Sequence, residues 1–321
     1  MRKKNMITLV IILAIFISIL SVPVLAENFF ELVKNGNPEE VKKAIDAGAD
    51  IYSRDRYEMT PLMYATYNKN PEVIKILLDA GADVNERDKF KMTSLMRATS
   101  NENPEVVETL LNAGAKIDAR DEDGMTPLMW ANYDKNYEVI KTLLDAGAKV
   151  DARDKSGVTS LMRAASNENP EVIETLLNAG AKIDARDEFG NTAFMYTAHY
   201  NTNPIVIEKL LDAGADINER NDGGTTALIS AVSFNESPEI IEMLLVLSEE
   251  DINTRDEDGM TPLMYAAKSN RNPEVIELLL NKGADGSIKT NSGKTAFDYA
   301  KENYRIKGSD AYWKLNDAQY N

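Results

Sequence analysis

The chain has 321 residues, a formal charge of −16 and no cysteine. The missing cysteine excludes disulfides, thiolate metal sites, Cys nucleophiles and a lipid-anchored cysteine at an export site. So acidic a chain repels nucleic acid and anionic membranes, and an apolar fraction of 43% is that of an ordinary folded protein.

The N-terminus carries a targeting pattern. Arg2, Lys3 and Lys4 form a basic segment, Ile7 to Leu20 an apolar one, and Val24-Leu25-Ala26 a small-residue cleavage site, with the first acid at Glu27. This predicts a secretory signal peptide, residues 1–26. The competing reading is an uncleaved membrane anchor, since Met6 to Ala26 reaches the ~20 apolar residues that span a bilayer. Pro23 and the abrupt polar switch after Ala26 favour cleavage, which removes three cations and no acid and takes the charge to −19.

Beyond it the chain repeats itself. Thr-Pro-Leu-Met-Tyr-Ala at Thr60 to Ala65 returns in altered form at Thr93, Thr126, Thr159, Thr192, Thr226, Thr261 and Thr295, with spacings of 33, 33, 33, 33, 34, 35 and 34 residues. Copies at that period bury an apolar face against one another, which predicts one continuous all-α solenoid without a single central core.

The repeat from Thr60 to Met92 serves as template. Thr60 reads as an N-cap and Pro61 as N1, where a missing N–H costs nothing. The first helix is expected to run to about Asn68, with Leu62, Met63, Ala65 and Thr66 on its packed side. Asn70-Pro71-Glu72 starts a second helix carrying Val73, Ile74, Leu77 and Leu78, and Gly81 ends it in the left-handed C′ conformation. A polar stretch such as Ile117 to Met125, with its turn-forming glycine, then reads as a projecting β-turn finger.

Helix, turn, helix and finger in 33 residues, opening on Thr-Pro-Leu, closely resembles the ankyrin repeat. The resemblance covers Glu27 to about Lys307 and implies stacked helix-turn-helix units with projecting β-turn fingers. About nine units are expected over residues 27–308. The first, Asn28-Phe29-Phe30-Glu31-Leu32, lacks its Thr-Pro start, and the last opens on Thr295 and degenerates into a tail or short capping helix at 309–321.

The chain departs from the family pattern in several places. The usual His after Thr-Pro-Leu is Met63, Met96, Met129, Met162, Met195 or Met264, read as core filler that replaces the lost hydrogen bonds. The Gly ending the first helix is replaced by Lys69, Glu102, Lys135 and Glu168, with a neighbouring Asn or Asp as substitute left-handed terminator. Fingers at Glu58 and Lys91 lack the tip glycine and should be differently shaped. Val246-Leu247-Ser248-Glu249-Glu250, together with the extra residues after Thr192, Thr226 and Thr261, predicts a less regular C-terminal half.

The fifth and eighth positions of each repeat are read as one exposed face of the first helix. The fifth runs Tyr64, Arg97, Trp130, Arg163, Tyr196, Ser230, Tyr265 and Tyr299, with each Arg expected between aromatic neighbours in cation–π or stacking reach. The eighth adds Tyr67, Tyr133 and His199. The family resemblance implies that this face lies in the inner, concave groove and binds partners together with the finger tips. The candidate partner-binding residues are Tyr64, Tyr67, Phe90, Arg97, Trp130, Tyr133, Arg163, Phe189, Tyr196 and Tyr265. The alternative is that the ladder only ties repeats together. Some of the alternation is copying, since the repeats from Thr93 and Thr159 differ at only four of 33 positions.

Nothing points to catalysis or to a metal. His199 is the only histidine and reads as an ordinary surface residue. Asp121-Glu122-Asp123-Gly124 and Asp256-Glu257-Asp258-Gly259 look superficially like calcium loops, but Ala119 and Trp130, and Thr254 and Tyr265, stand where the first and last ligands belong. The expectation is therefore a non-enzymatic, monomeric protein-binding module without cofactor. It would be exported by a bacterium to the periplasm or the medium and, once the signal is cut, would bind neither nucleic acid nor membrane. A secreted effector of a host protein and a structural envelope spacer are the alternatives.

Overall fold

The computed structural model describes residues 29–248 and 251–320; the signal-peptide reading of residues 1–26 lies outside them. Among the described residues there are helices and turns, one isolated bridge between Arg153 and Thr159, and no strand. No helix among them is long and apolar enough to cross a membrane. Two compact units divide between Lys149 and Val150.

In the N-terminal unit, helical residues 29–35 pair with Pro38–Asp46, and Pro61–Ala65 with Pro71–Asp79. Ser94–Arg97, continued by the 3-10 turn Ala98–Ser100, pairs with Pro104–Asn112, and Pro127–Tyr133 with Tyr137–Asp145. The C-terminal unit opens with Ser160–Arg163, its 3-10 turn Ala164–Ser166 and Pro170–Asn178. It continues with Ala193–Tyr200 and Pro204–Asp212, Ala227–Phe234 and Pro238–Leu247, Pro262–Ser269 and Pro273–Asn281, and Ala296–Ala300 and Asp310–Ala318. The chain is thus an all-α solenoid repeat fold.

Local chemistry sets these boundaries. Thr60 accepts a hydrogen bond from the Met63 amide at 3.4 Å, and the Thr opening each later repeat caps its helix alike. Apart from Pro238–Leu247, which is followed by Ser248, each second helix in the body of the array stops at a glycine; at Gly81 (φ 102°) the amide donates to Leu78 O and that of Ala82 to Leu77 O. Leu62, Met63, Ala65, Val73, Ile74 and Leu77 are fully buried. Each large apolar side chain so buried contributes about 1.5–3 kcal/mol before entropy is charged against it. The six methionines at the histidine position are also buried. The hydrogen bond is not wholly lost with the imidazole, since Met162 and Met264 sulfurs accept from the Thr159 and Thr261 amides at 3.4 Å.

Four expectations need correction. The first helix of the template ends at Ala65, short of Asn68, because Thr66 folds its hydroxyl back onto Met63 O at 2.7 Å. The asparagines after the first helices are extended, not left-handed: Asn101 has φ −74° and ψ 134°, and Asn235 φ −76° and ψ 127°. Only Lys135 (φ 57°) takes the left-handed turn itself. The extended backbone lets most of these asparagines bridge to the preceding repeat, though not Asn167, whose Nδ2 has no hydrogen-bond partner among the described residues. Asn101 Nδ2 donates to Thr66 O at 2.7 Å and Asn68 O at 2.9 Å, and Asn235 Nδ2 to Ala198 O at 2.9 Å and Asn201 O at 2.8 Å.

The third correction concerns the first helices only: at Val246-Leu247-Ser248-Glu249-Glu250 the helix Pro238–Leu247 does end without a glycine, and Glu249 and Glu250 lie outside the described residues. The extra residue after Thr192, Thr226 and Thr261 completes the first helices, which run eight residues there, whereas Ser94–Arg97 and Ser160–Arg163 break into 3-10 turns. Fourth, the tips at Glu58 and Lys91 keep the same turn as the glycine tips. Both residues adopt φ 61°, and their amides donate to Asp55 O and Asp88 O at 2.9 Å, as Gly124 does to Asp121 O at 3.2 Å. At the C-terminus, Asp310–Ala318 is a regular helix capped by Ser309 that buries Ala311, Tyr312 and Leu315.

Candidate functional site

The fifth-position side chains are half-buried and tied down. In the N-terminal unit, Tyr64 Oη donates to Asp55 Oδ2 at 2.9 Å, the Arg97 guanidinium to Asp88, and Trp130 Nε1 to Asp121 Oδ2 at 2.9 Å. In the C-terminal unit, Arg163 reaches Asp154 at 2.5 Å, Tyr196 Asp187 at 2.7 Å and Tyr265 Asp256 at 2.6 Å. In every case the acceptor stands nine residues earlier, at the base of the finger. Its second oxygen holds the finger turn: Asp88 Oδ1 accepts from the Phe90 and Met92 amides at 2.8 and 2.9 Å.

One carboxylate thus locks finger to helix. Tyr, Arg and Trp interchange there because each offers an N–H or O–H at the end of a long planar group. The exceptions carry the same logic. Where Asn221 and Thr290 replace the aspartate, no second acidic oxygen remains, and neither Ser230 nor Tyr299 is latched to them. Asn221 instead gives its Nδ2 to Asn191 at 2.7 Å.

The latch perturbs titration. Burial, then the hydrogen bond to Asp55 and its charge, push the Tyr64 phenol up to about 12. Tyr196 and Tyr265 are raised by burial and by Asp187 and Asp256 in the same way. Burial opposes the Asp187 charge, but donors from Tyr196, Asn191 and the backbone outweigh it and hold that carboxyl below its usual value. For Arg97 burial is likewise outweighed, and hydrogen bond and charge from Asp88 raise it. The cation–π stacking expected for Arg97 and Arg163 does not form among the described residues, because both guanidinium groups turn to carboxylates. Arg97 also donates to Tyr67 Oη at 3.2 Å.

Exposure lies elsewhere. Tyr67 and Tyr133 at the eighth position are 42% and 63% exposed, and Phe90 and Phe189 on the fingers 41% and 65%. Trp130 packs edge-on to Tyr133 at 5.8 Å, and Phe90 stacks with Tyr57 of the preceding finger at 6.4 Å. His199 is not an ordinary surface residue. Its ring is half-buried, 4.4 Å from Phe234 and 4.0 Å from Tyr200, and burial lowers its pKa. Tyr200 and Phe234 were missed as candidates. The signal was the extra residue after Thr192 and Thr226, which adds the turn that carries them. They line an open pocket of about 390 Å³ with Thr202, Glu236, Ser269 and Arg271.

Comparison with known families agrees with this architecture. The model for ankyrin repeats (3 copies) matches residues 29–121, 95–187 and 161–256, and that for ankyrin repeats (many copies) matches 247–300. No curated protein matches the chain. With family models covering most of its length, the chain belongs to the ankyrin-repeat proteins.

Proposed function

We propose that this is an exported module that captures another protein non-covalently, using aromatic side chains presented beside the latched first helices and on the fingers. Ankyrin repeats are generally protein–protein interaction modules and typically non-enzymatic. One observation carries the reading: Tyr67, Tyr133, Phe90 and Phe189 stay exposed while their neighbours at the fifth position are anchored. Aromatic groups on a rigid support lose little conformational freedom on binding, which is why they recur at interface hot spots.

The fifth-position residues Tyr64, Arg97, Trp130, Arg163, Tyr196 and Tyr265 then act chiefly as positioning residues that hold helix and finger together. Export rests on the basic, apolar and small-residue pattern of residues 1–26. Capture from envelope extract tests the reading, comparing wild type with Tyr67→Ala/Tyr133→Ala and with Phe189→Ala. The double variant removes the Arg97 bond to Tyr67 and the Trp130 contact with Tyr133 but keeps both bonds to Asp88 and Asp121. Loss of one captured protein from a chain that still unfolds cooperatively, and from Phe189→Ala with unchanged thermal unfolding, therefore supports the reading. Equal capture by all three proteins would favour an envelope spacer.

A further inference from the structure

Glu236 and Arg271 belong to a row of residues that each follow a buried asparagine between the two helices of a repeat. A second asparagine fixes the register of neighbours in this row: Asn103 Nδ2 donates to Lys69 O at 2.9 Å, Asn203 Nδ2 to Glu168 O at 2.8 Å, and Asn272 Nδ2 to Glu236 O at 2.8 Å. In the first two cases the neighbouring side chains also meet, Lys69 with Glu102 at 2.6 Å and Thr202 with Glu168 at 3.0 Å. In the third they do not. Glu236 and Arg271 carry opposite charges on the same backbone link, yet no ion pair joins them, and neither side chain has another hydrogen-bond or ionic partner among the described residues.

Both instead border the pocket of about 390 Å³ that His199, Tyr200 and Phe234 line. Small-molecule sites occupy roughly 300–1,000 Å³. The Tyr200 and Phe234 rings are each 55% exposed, and the Phe234 ring lies within 15° of parallel to that of His199. Other charges beside the pocket are engaged: Glu168 accepts the Thr202 hydroxyl, and Lys268 turns to the Tyr299 ring at 5.7 Å. A net anion would face Glu236 and Glu168, and a plain cation would face Arg271, whereas an occupant bearing both charges satisfies each.

We propose that this pocket binds a free aromatic α-amino acid, its ammonium group at Glu236, its carboxylate at Arg271 and its ring against Phe234 and Tyr200. Ammonium and carboxylate on one carbon suit an acid and a base of adjacent repeats, and arginine offers a carboxylate two parallel donors. A ring adds offset or edge contacts that an aliphatic side chain lacks. The pocket lies wholly within the C-terminal unit and takes a small molecule, which sets it apart from the protein-capturing role of Tyr67 and Tyr133.

His199 is the only histidine, so its ring signals in a proton NMR spectrum of the full chain report on the pocket. L-Phenylalanine should shift them with saturation. Phenethylamine lacks the carboxylate, 3-phenylpropionate the ammonium and alanine the ring, so each should bind at least roughly tenfold more weakly. Glu236→Gln and Arg271→Gln, both at exposed positions, should each weaken phenylalanine binding roughly tenfold with thermal unfolding unchanged. N-acetyl-phenylalanine amide, which stands for an aromatic side chain within a polypeptide, should not compete. Equal binding of that amide, no loss in either charge variant, or no saturable shift would overturn the proposal; the last would mean that Glu236 and Arg271 pair in solution as Lys69 and Glu102 do. Each of these outcomes leaves envelope capture through Tyr67 and Tyr133 untouched.

Discussion

The Trp130 indole donates to one oxygen of Asp121 at 2.9 Å, while the other oxygen of that carboxylate accepts the Asp123 and Met125 amides, each at 2.9 Å. Asp121→Ala would leave three donors without this acceptor, so its urea unfolding free energy should fall by about 2–4 kcal/mol. Asp121→Asn keeps the turn and loses only the indole, at about 1 kcal/mol. Adding Trp130→Ser to Asp121→Asn copies the Asn221–Ser230 pair, so the double variant should be less destabilised than the two singles combined. Strict additivity would show that the two residues are not coupled.

The phenol–carboxylate latches set a pH window. Tyr64, Tyr196 and Tyr265 have folded pKa values above 10.0, so their contribution is complete below that pH and is lost as pH rises through the folded values, about 12 for Tyr64. Asp187 is held below 3.8, so its contribution is present above the ordinary carboxylate value and is lost as pH falls through the folded one. The Tyr196–Asp187 latch should therefore hold from about pH 4 to beyond pH 10. Ultraviolet titration should show late-ionising tyrosines, and Tyr64→Phe and Tyr196→Phe should each remove one of them.

Ser94 and Ser160 are fully buried at N1, and their hydroxyls have no hydrogen-bond partner among the described residues. Pro61, Pro127 and Pro262 occupy the same place in other repeats. Thr93 (φ −98°, ψ 166°) and Thr159 (φ −98°, ψ 170°) already have the extended backbone that a following proline requires. Ser94→Pro and Ser160→Pro should each add about 0.5–1 kcal/mol, read as a higher denaturation midpoint.

Asn235 is 2% exposed and joins three backbone groups: Ala198 O, Asn201 O and the Ser237 amide. Asn235→Ala removes all three partners inside the C-terminal unit. Chemical denaturation should report a loss of about 2–4 kcal/mol, with the aspartate variant no better, since a carboxylate offers no donor to two carbonyls. A change below about 0.5 kcal/mol would show that water replaces the bridge.

Burial beside Phe234 and Tyr200 lowers the His199 pKa below 6.5, so the neutral ring is the favoured folded form. What the ring adds to stability is complete above pH 6.5 and declines as pH falls through the folded value. As the chain's single histidine, its ring signals in a proton NMR titration are unambiguous. Phe234→Ala should bring the midpoint back toward the ordinary value.

Much of this molecule is legible in its sequence, because a repeat states each local rule several times. Thr60 as cap, Pro61 at N1 and Gly81 at C′ are determined by backbone chemistry within a few residues, and the structure places them as expected. The tip turns at Glu58 and Lys91 were misjudged because glycine preference was taken as a requirement. Two amides bonded to Asp55 or Asp88 hold the turn regardless. The bridging role of the asparagines is not legible in the sequence because their bonds to residues 32 to 38 positions earlier have no local signature.

By itself the sequence determined the period, the helix ends and the apolar faces, since these depend on spacing and on neighbours along the chain. Which way the variable fifth residue turns was decided only by tertiary structure. An outward-facing Tyr, Arg or Trp and one bonded to a finger aspartate nine residues back share the same helical spacing. Only the folded finger, bringing Asp121 to 2.9 Å from the Trp130 indole, makes anchoring more favourable than exposure to water.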